Sequence, residues 1–461
     1  MSRHFSDWLR AYCDYASYSE APRHMHFWSG ASALASTLQR RVWVDMGYFK
    51  WHCNMYIILV APPGIVSKST TSNTAMSLAR GITSVRFGPD AVTWPALVQS
   101  FAEAAETFPL GDMLYPQCAL TLEASELGNL IDPQNRELID LFVSLWDSKT
   151  GAFEKKTKSS GNDKVENPWI NLIACTTPGW IAANFPESVI SGGFTSRCLF
   201  IYADKKEKLV AYPGRHTPAN IEETRLKLID DLGHIATSIT GEYKLTEEAF
   251  LWGERWYVVH NRAPPEALKN DERFATYLAR KQTHIHKLAM ILAASRRDDL
   301  IIDVEDLELA FTMITDLEEA MPKVFAKIGR SETSIHAERF IDFVKLQNGA
   351  IRYEEAYAYA HKHFPLLSDF EDIVKGAVSS GQLRITPTPR GVLLEAVTRE
   401  SVGTQTREPH QGNGVTSPQT SPPQSPQPTE SLLNHPLQLL SPTGPESARS
   451  DLPPGLIELT D

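Results

Sequence analysis

The sequence predicts an α/β protein whose core is a parallel β-sheet. Two observations lead to this fold class. Residues 55–60 form a continuous apolar run, which is typical of a strand buried on both faces of a parallel sheet. Further short apolar runs follow, and stretches with helical periodicity separate them, an alternation that indicates parallel pairing.

The strands and helices of this core are predicted within residues 41–215. The expected strands are 41–45, 55–60, 118–122, 169–175 and 197–202. Before them, residues 1–40 carry apolar residues at helical spacing and predict an N-terminal helical segment.

The rest of the chain predicts three further segments. Residues 216–330 show helical patterns alone and indicate a helical lid subdomain. Residues 331–397 predict three helices and a terminal hairpin, the composition of a winged helix. Residues 398–461 are rich in Pro, Ser, Thr, Gln and Glu, and we expect a disordered tail because such a segment buries too little apolar surface to offset chain entropy.

Composition narrows the classes of function. The formal net charge of -11 argues against a surface that coats nucleic acid everywhere, so a nucleic-acid site must be a local basic patch. The five cysteines lack zinc spacing and predict reduced core residues. The first residues have no signal-peptide core and no run approaches the ~18 apolar residues of a membrane span, so we expect a cytoplasmic protein without a membrane partner.

A loop with small residues follows the first buried strand. In LVAPPGIVSKST, successive backbone N–H groups can converge on phosphates ahead of a helix. The predicted nucleotide-binding residues are Gly64, Ser67, Lys68, Ser69 and Thr70. Lys68 would reach the β- and γ-phosphates of ATP, and the Ser69 hydroxyl would bind Mg²⁺.

The loop departs from the strict phosphate-loop pattern in two ways. That pattern would place glycine at Pro62 and at Ser67, and the segment from Gly64 to Lys68 is one residue longer than usual. The alternative is a Gly/Pro turn between a strand and a helix that carries Lys-Ser-Thr without binding phosphate.

Hydrolysis also needs a carboxylate at a strand end to polarise water. Glu123 stands where the apolar run 118–122 stops, and Glu126 is the second candidate, three residues later. The aspartate that usually precedes the catalytic glutamate is missing, because Leu122 occupies its position. The alternative is that Glu123 begins a helix, where acidic residues are favoured by the helix dipole.

Two later segments carry further catalytic candidates. Thr176 and Thr177 end the run 169–175 and are predicted to sense the γ-phosphate. Arg197 precedes the last apolar run and is the candidate arginine finger that would reach the triphosphate of a neighbouring subunit. The alternatives are a simple strand cap for the threonines and a structural ion pair for the arginine.

Lysines concentrate between the candidate acid and the candidate sensor. The candidate DNA contacts are Lys149, Lys155, Lys156, Lys158 and Lys164. In a ring, a flexible loop here would face the central channel and track phosphates of single-stranded DNA without reading sequence. The alternative is a solvated surface loop. Three basic residues lie further along the chain: Arg280, Lys281 and Lys287. They are either phosphate-sensing cations of the lid or one solvated face of a helix, and the solvated face is the preferred prediction.

The spaced motifs together resemble a known family. They are EAPRHMHFWSGASALASTLQRRVWVD, NMYIILVAPPGIVSKST, LEASELGNL, NPWINLIACTTPGWI and GGFTSRCLFIYADK. They resemble the phage and prophage P-loop ATPases labelled primase/helicase-like proteins, over roughly residues 20–320. The motif order is also similar to AAA+ helicases of the minichromosome-maintenance type, and a RecA-like core is the alternative. The resemblance implies a P-loop NTPase core that uses ATP and Mg²⁺, acts on DNA and assembles as a homo-oligomeric ring.

Two functions follow as hypotheses. The first is an ATP-dependent DNA helicase or translocase of a phage or prophage, working in the cytoplasm of a bacterial host. The second is a nucleotide-switched initiator or helicase loader with little or no hydrolysis. In either case the winged helix or the C-terminal tail is expected to dock a replication protein.

Overall fold

The structure is a computed structural model of the 461-residue chain. It describes residues 3–90, 93–157, 161–185, 189, 193–269, 271–325, 332–347, 350–389 and 391–397. For residues 94, 152–157, 161–164, 267 and 332–335 it describes the backbone alone. The predicted tail, 398–461, lies outside these ranges.

Strands and helices alternate through the first half of the chain. The strands are β1 (Val42–Asp45), β2 (Lys50–His52), β3 (Tyr56–Val60), β4 (Ala105–Leu110), β5 (Met113–Ala124), β6 (Ala152–Thr157), β7 (Gly161–Glu166), β8 (Pro168–Thr176), β9 (Cys198–Tyr202), β10 (Gly241–Leu245), β11 (Ile301–Ile302), β12 (Ala350–Arg352), β13 (Leu383–Thr388) and β14 (Gly391–Ala396).

The helices in the described part of the chain are α1 (Trp8–Ala16), α2 (Arg23–Leu38), α3 (Lys68–Ala79), α4 (Trp94–Glu103), α5 (Leu127–Leu130), α6 (Arg136–Trp146), α7 (Pro178–Asn184), α8 (Ile221–Ser238), α9 (Glu247–Arg262), α10 (Glu266–Lys269), α11 (Ala275–Leu278), α12 (Lys281–Arg296), α13 (Val304–Glu318), α14 (Met321–Phe325), α15 (Glu332–Leu346), α16 (Tyr353–Ala360) and α17 (Leu367–Ser379). None of them combines the length and the apolar content that crossing a membrane requires.

The main sheet has the order β4-β5-β8-β3-β9. Strands β5, β8, β3 and β9 are mutually parallel, which confirms the predicted α/β class, and β4 is an antiparallel edge strand. Strand β4 was not predicted from the sequence. Near the same edge, Phe87 bridges Thr121 in parallel.

Every residue of β3 is buried, as the apolar run predicted, because helices cover both faces of a parallel sheet. The buried apolar residues from Trp8 to Phe325 form one cluster, so the segment 216–330 packs into the same core as the strands. The expectation of helices alone in that segment is wrong for β10 and β11. These strands join β1 and β2 in a second sheet with the order β11-β10-β1-β2.

The segment 332–397 has a hydrophobic cluster of its own, from Phe340 to Leu394. Helices α15, α16 and α17 pack on a three-stranded antiparallel sheet with the order β12-β14-β13. The hairpin β13–β14 was predicted, whereas the three-residue strand β12 was not.

A buried amide fixes β8 to its neighbours. Asn171, fully buried in the middle of β8, accepts a hydrogen bond from the Met55 backbone N–H at 3.0 Å. Its Nδ2 donates to the Ser32 Oγ at 2.9 Å and to the Ser36 Oγ at 3.1 Å. One side chain thereby joins β8, the residue before β3, and α2. Such a network is stabilising because all of its polar groups have partners.

We predict that Asn171→Leu lowers the free energy of unfolding by about 3 kcal/mol, because the Met55 N–H loses its partner without any large change in side-chain volume. Urea unfolding followed by circular dichroism measures this. The matched control is Asn261→Leu at an exposed helix position, expected to change stability by less than about 0.5 kcal/mol. Equal effects of the two variants would contradict the role given to Asn171.

Candidate functional site

The sheet topology opens a crevice at one edge of the main sheet. The chain leaves β3 toward β5 and leaves β8 in the opposite direction, across β3, to reach β9. The loops that follow two such neighbouring strands lead away from each other at the carboxyl ends of the strands. α/β proteins bind ligands at this kind of position. Val60 and Thr176, paired at the end of the β3–β8 ladder, mark that position. We call it the carboxyl edge.

The predicted phosphate loop lies at the carboxyl edge, between β3 and α3. Gly64 has φ +71°, a left-handed conformation that favours glycine. Ser67 is the N-cap residue of α3, and no side chain caps the helix. The first-turn N–H groups of Ser69 and Thr70 lack intrahelical partners, as at any helix start, and can therefore bind an anion.

The side chains of the loop are arranged for access. Ser67, Ser69 and Thr70 are exposed, and Lys68 is half-buried. The Lys68 Nζ donates a hydrogen bond to the Ala61 carbonyl oxygen at 3.0 Å, so the ammonium is folded over the loop. The loop therefore combines a cation, open backbone donors and exposed hydroxyls.

The two candidate carboxylates differ in their surroundings. Glu123 lies within β5, paired in register with Ile173, and its side chain is only 11% exposed. Its Oε2 accepts from Arg80 Nη1 at 2.6 Å, at the end of α3 remote from the loop. Glu126 is exposed and stands two residues beyond the end of β5, at the carboxyl edge.

The strand thus runs further than the apolar pattern indicated. The residue before Glu126 is Ser125, an exposed hydroxyl that the sequence analysis did not single out. Its only sequence signal is its place before a glutamate just beyond a strand, and that signal is visible only once the strand end is known.

Cys175 connects these groups electrostatically. Burial raises the pKa of its thiol to about 12, with a hydrogen bond between the thiol and the Ser72 hydroxyl and the charges of Lys68, Glu123 and Glu126 as smaller influences. Its Sγ lies 3.9 Å from the Ser72 Oγ on α3. Cys175 thus lies between α3 and the end of β8, within electrostatic reach of the loop lysine and of both candidate carboxylates.

The two candidate sensors have different roles in the structure. Thr177 is the N-cap of α7, and its Oγ1 accepts from the Trp180 N–H at 3.1 Å, so its hydroxyl caps a helix and not a strand. Thr176 is 1% exposed, and its Oγ1 has no hydrogen-bond partner among the described residues. An unpartnered buried hydroxyl beside the loop is the better candidate to contact a ligand.

Arg197 lies at the other edge of the sheet, in a 3₁₀ turn before β9 rather than in a strand. Its Nη2 donates to both carboxylate oxygens of Asp147 at 3.2 Å, and its Nη1 donates to the Gly193 carbonyl oxygen at 2.9 Å. Arg197 is therefore not beside the loop of its own chain. It is engaged in the structural ion pair that was the alternative prediction.

The lysine-rich interval forms an antiparallel ribbon, β6–β7, and not the flexible loop that was expected. Lys155 pairs in register with Asp163, and Lys164 pairs with Glu154, so acidic residues alternate with the lysines along it. Lys156 pairs with Asn162, and Lys158 lies outside the described residues. Lys149 precedes the ribbon and is exposed.

A cavity of about 500 Å³ opens at the amino ends of the strands, around Arg197. We call it the amino-edge cavity. Its basic lining residues are Lys50, Lys149, Arg197, Arg280 and Lys287, and the described lining includes one carboxylate, Asp147. The sequence could not show this cluster, because its members come from segments far apart in the chain.

Lys287 is buried among neutral groups. Its Nζ donates to the Asn54 Oδ1 at 2.6 Å and to the Trp146 carbonyl oxygen at 3.3 Å, and it lies 4.0 Å from the centre of the Trp146 ring. Burial lowers the pKa of Lys287 to about 7. Lys281 is also buried, with its Nζ 2.7 Å from Glu318. The preferred prediction of a solvated helix face is therefore wrong for both lysines.

Comparison with known proteins adds no assignment: no known family model matches the chain, and no curated protein matches it either.

We predict that Lys287 makes stability depend on pH. Because its pKa is about 7 in the folded chain and 10.5 when unperturbed, the unfolded chain binds the extra proton between these values. The free energy of unfolding therefore rises with pH across this window, by roughly 1 kcal/mol per pH unit. Below pH 7 the folded chain carries the whole loss of stability that burying this lysine causes. Lys287→Met should remove that rise.

Urea unfolding by circular dichroism at several pH values between 7 and 10.5 checks the expected slope. The matched control is Lys205→Met, at an exposed position, which should keep the slope of the unaltered chain. An unchanged slope in Lys287→Met would show that the folded chain does not hold Lys287 in its neutral form.

Proposed function

We propose that the protein binds ATP at the carboxyl edge and hydrolyses it to move along single-stranded DNA. The observation that carries this proposal is that a lysine, an uncapped helix start, an exposed carboxylate and an unpartnered hydroxyl all stand at the carboxyl ends of the parallel strands β3, β5 and β8. Each group has a use in phosphoryl transfer, where positioning and charge stabilisation do most of the catalysis.

The loop would hold the triphosphate. The N–H groups at the start of α3 would bind phosphate oxygens, and Lys68 would exchange the Ala61 carbonyl for the β- and γ-phosphates. The exposed Ser69 hydroxyl fits Mg²⁺, a cation that takes few protein ligands and keeps waters and phosphate oxygens. When bound there, Mg²⁺ would neutralise charge on the phosphates.

Glu126 is the carboxylate that we assign to the attacking water. It stands at the carboxyl edge and is exposed, whereas Glu123 is held by Arg80. Glu123 then acts as a positioning residue that fixes α3 to β5, and Ser125 occupies the place before the catalytic glutamate. The Thr176 hydroxyl would contact the γ-phosphate or the water, which gives this buried group a partner.

The fold expected for this function is a P-loop NTPase core of the AAA+ type, with the segment 332–397 as a winged helix. Its support is the interior position of the loop-bearing strand, between β8 and β9, and the three helices with a small antiparallel sheet at the end of the described chain. A RecA-like core is the alternative. The winged helix or the tail would dock a replication protein.

A homo-oligomeric ring is part of the proposal. Arg197 lies at the edge opposite its own loop, so it would serve as an arginine finger only for a neighbouring subunit, while Asp147 keeps its guanidinium in place. The ribbon β6–β7, with Lys155, Lys156 and Lys164, would face DNA in the channel of the ring.

The second candidate function is a nucleotide-switched initiator or loader with little hydrolysis. Two observations favour it: the Arg80–Glu123 ion pair removes one carboxylate from water, and neither Leu122 before Glu123 nor Ser125 before Glu126 supplies the usual aspartate. Steady-state ATP hydrolysis, measured with and without single-stranded DNA, separates the two functions. Turnover stimulated by DNA supports the translocase, and nucleotide binding without turnover supports the switch.

We predict that Lys68→Ala weakens binding of a fluorescent ATP analogue at least tenfold, about 1.4 kcal/mol or more, because the loop loses its ammonium. Fluorescence titration of the full chain measures the dissociation constant. Lys208→Ala, which removes one exposed positive charge elsewhere, is the matched control and should bind as the unaltered chain does. A folded Lys68→Ala protein with unchanged affinity would exclude the loop as the phosphate site.

We predict that Glu126→Gln keeps nucleotide binding and lowers turnover by at least about a hundredfold, since a general base typically contributes 10²–10⁴. Glu123→Gln is the matched variant, with the same change three residues earlier, and should keep turnover within about tenfold. Both are measured by phosphate release at saturating ATP. The reverse order of effects would return the catalytic role to Glu123.

A further inference from the structure

We propose that the amino-edge cavity is a second binding site for a nucleotide unit, with the phosphate held by its cations and the base stacked on its aromatic rings. The site is separate from the phosphate loop. A five-residue strand such as β3 spans roughly 16 Å, so one nucleotide cannot occupy both edges of the sheet.

The charge of the lining fits an anion. Five basic side chains face one carboxylate, and that carboxylate is already shared with Arg197. Arg280, half-buried, donates only to the Thr276 carbonyl oxygen at 3.2 Å in the described structure, which leaves its positive charge without a counter-ion. A cluster of cations inside a cavity gains most from a multiply charged phosphate.

Buried polar atoms of the lining residues also lack partners. The Arg197 Nε and the Trp146 Nε1 are buried donors without an acceptor among the described residues. The His52 Nδ1 lies 2.9 Å from the Val42 carbonyl oxygen and donates to it, so its unpartnered Nε2 is an acceptor in the neutral ring. Each of these atoms is shielded from solvent, so the exposed cations and rings of the cavity, rather than these atoms, make the first contacts with a nucleotide.

Aromatic rings stand at the same cavity. Phe49 is 53% exposed and its ring centre lies 5.6 Å from that of Trp51, which is half-buried. Exposed rings beside cations are typical of surfaces that stack bases and hold phosphates. A volume of about 500 Å³ lies within the range of small-molecule sites and accommodates one nucleotide.

The nucleotide can have two sources, a free nucleotide or one residue of a single strand. Lys149 lines the cavity and leads directly into the ribbon β6–β7, which would give a strand a continuous path. The shared chemistry is one phosphate and one base, and the two sources are told apart by separate probes.

The test uses the full chain carrying Lys68→Ala, which disables the proposed loop site. ATP binding is measured by equilibrium dialysis, and binding of a fluorescein-labelled oligothymidylate by polarisation. The double variant Lys50→Glu/Arg280→Glu should weaken binding of the true ligand at least tenfold. The matched control is Lys205→Glu/Lys208→Glu, with the same charge change at exposed positions. Loss of ATP binding identifies a free nucleotide, and loss of oligothymidylate binding alone identifies a strand.

Stacking is tested with Phe49→Ala, an exposed position whose change should not unfold the chain. It should weaken nucleotide binding about tenfold, a usual effect of losing one base–ring stack, and leave pyrophosphate binding unchanged. Absence of saturable binding of either probe, equal effects of the control pair, or equal effects of Phe49→Ala on pyrophosphate would overturn the proposal. The loop assignment is judged separately, because Lys68→Ala alone tests it in the otherwise unaltered chain.

Discussion

The double pairing of β8 is the constraint on which the rest of the structure depends. β8 forms parallel ladders with β5 on one side and β3 on the other, and Asn171 ties its middle to α2 and to the start of β3. A one-residue slip in either ladder would reverse the faces of its side chains, and full burial forbids that. The loop after β3, Glu126 after β5, and Thr176 are therefore held at the same end of the sheet.

The two edges of the sheet hold their charged and polar groups in different environments. At the carboxyl edge the groups that would bind phosphate are backbone donors and one lysine, all near water. At the amino edge two basic side chains, Arg197 and Lys287, are buried, and each is kept there at a cost of desolvation. Arg197 offsets this cost with Asp147, and Lys287 offsets it by giving up its charge near neutral pH. Such a cluster lowers the stability of the folded chain unless a bound anion offsets part of the desolvation cost.

The sequence predicted the central strands because their signal is local. The apolar runs of β3, β8 and β9 show both the burial and the length of the strands, and the loop after β3 predicted the helix that follows it. Elements whose burial depends on distant partners were missed. β10 and β11 are short and exist because β1 offers an edge, and the burial of Lys287 reflects packing on Asn54 and Trp146. The ion pair between Glu123 and Arg80 was not predicted for the same reason, because it joins two residues that lie far apart in the chain.

The candidate groups at the two edges differ in how easily they can leave their present partners. This difference favours a different function at each edge. Lys68 has a neutral carbonyl as its partner, a hydrogen bond worth about 1 kcal/mol net, so phosphate can displace it readily. Arg80 is 43% exposed, and its pair with Glu123 is correspondingly weak. Arg197 is 7% exposed, and separating it from Asp147 would leave a buried charge alone, at a cost of about 3–5 kcal/mol. Repeated binding and release therefore suits the carboxyl edge, whereas a ligand of the amino edge must bind with the Arg197–Asp147 contact intact.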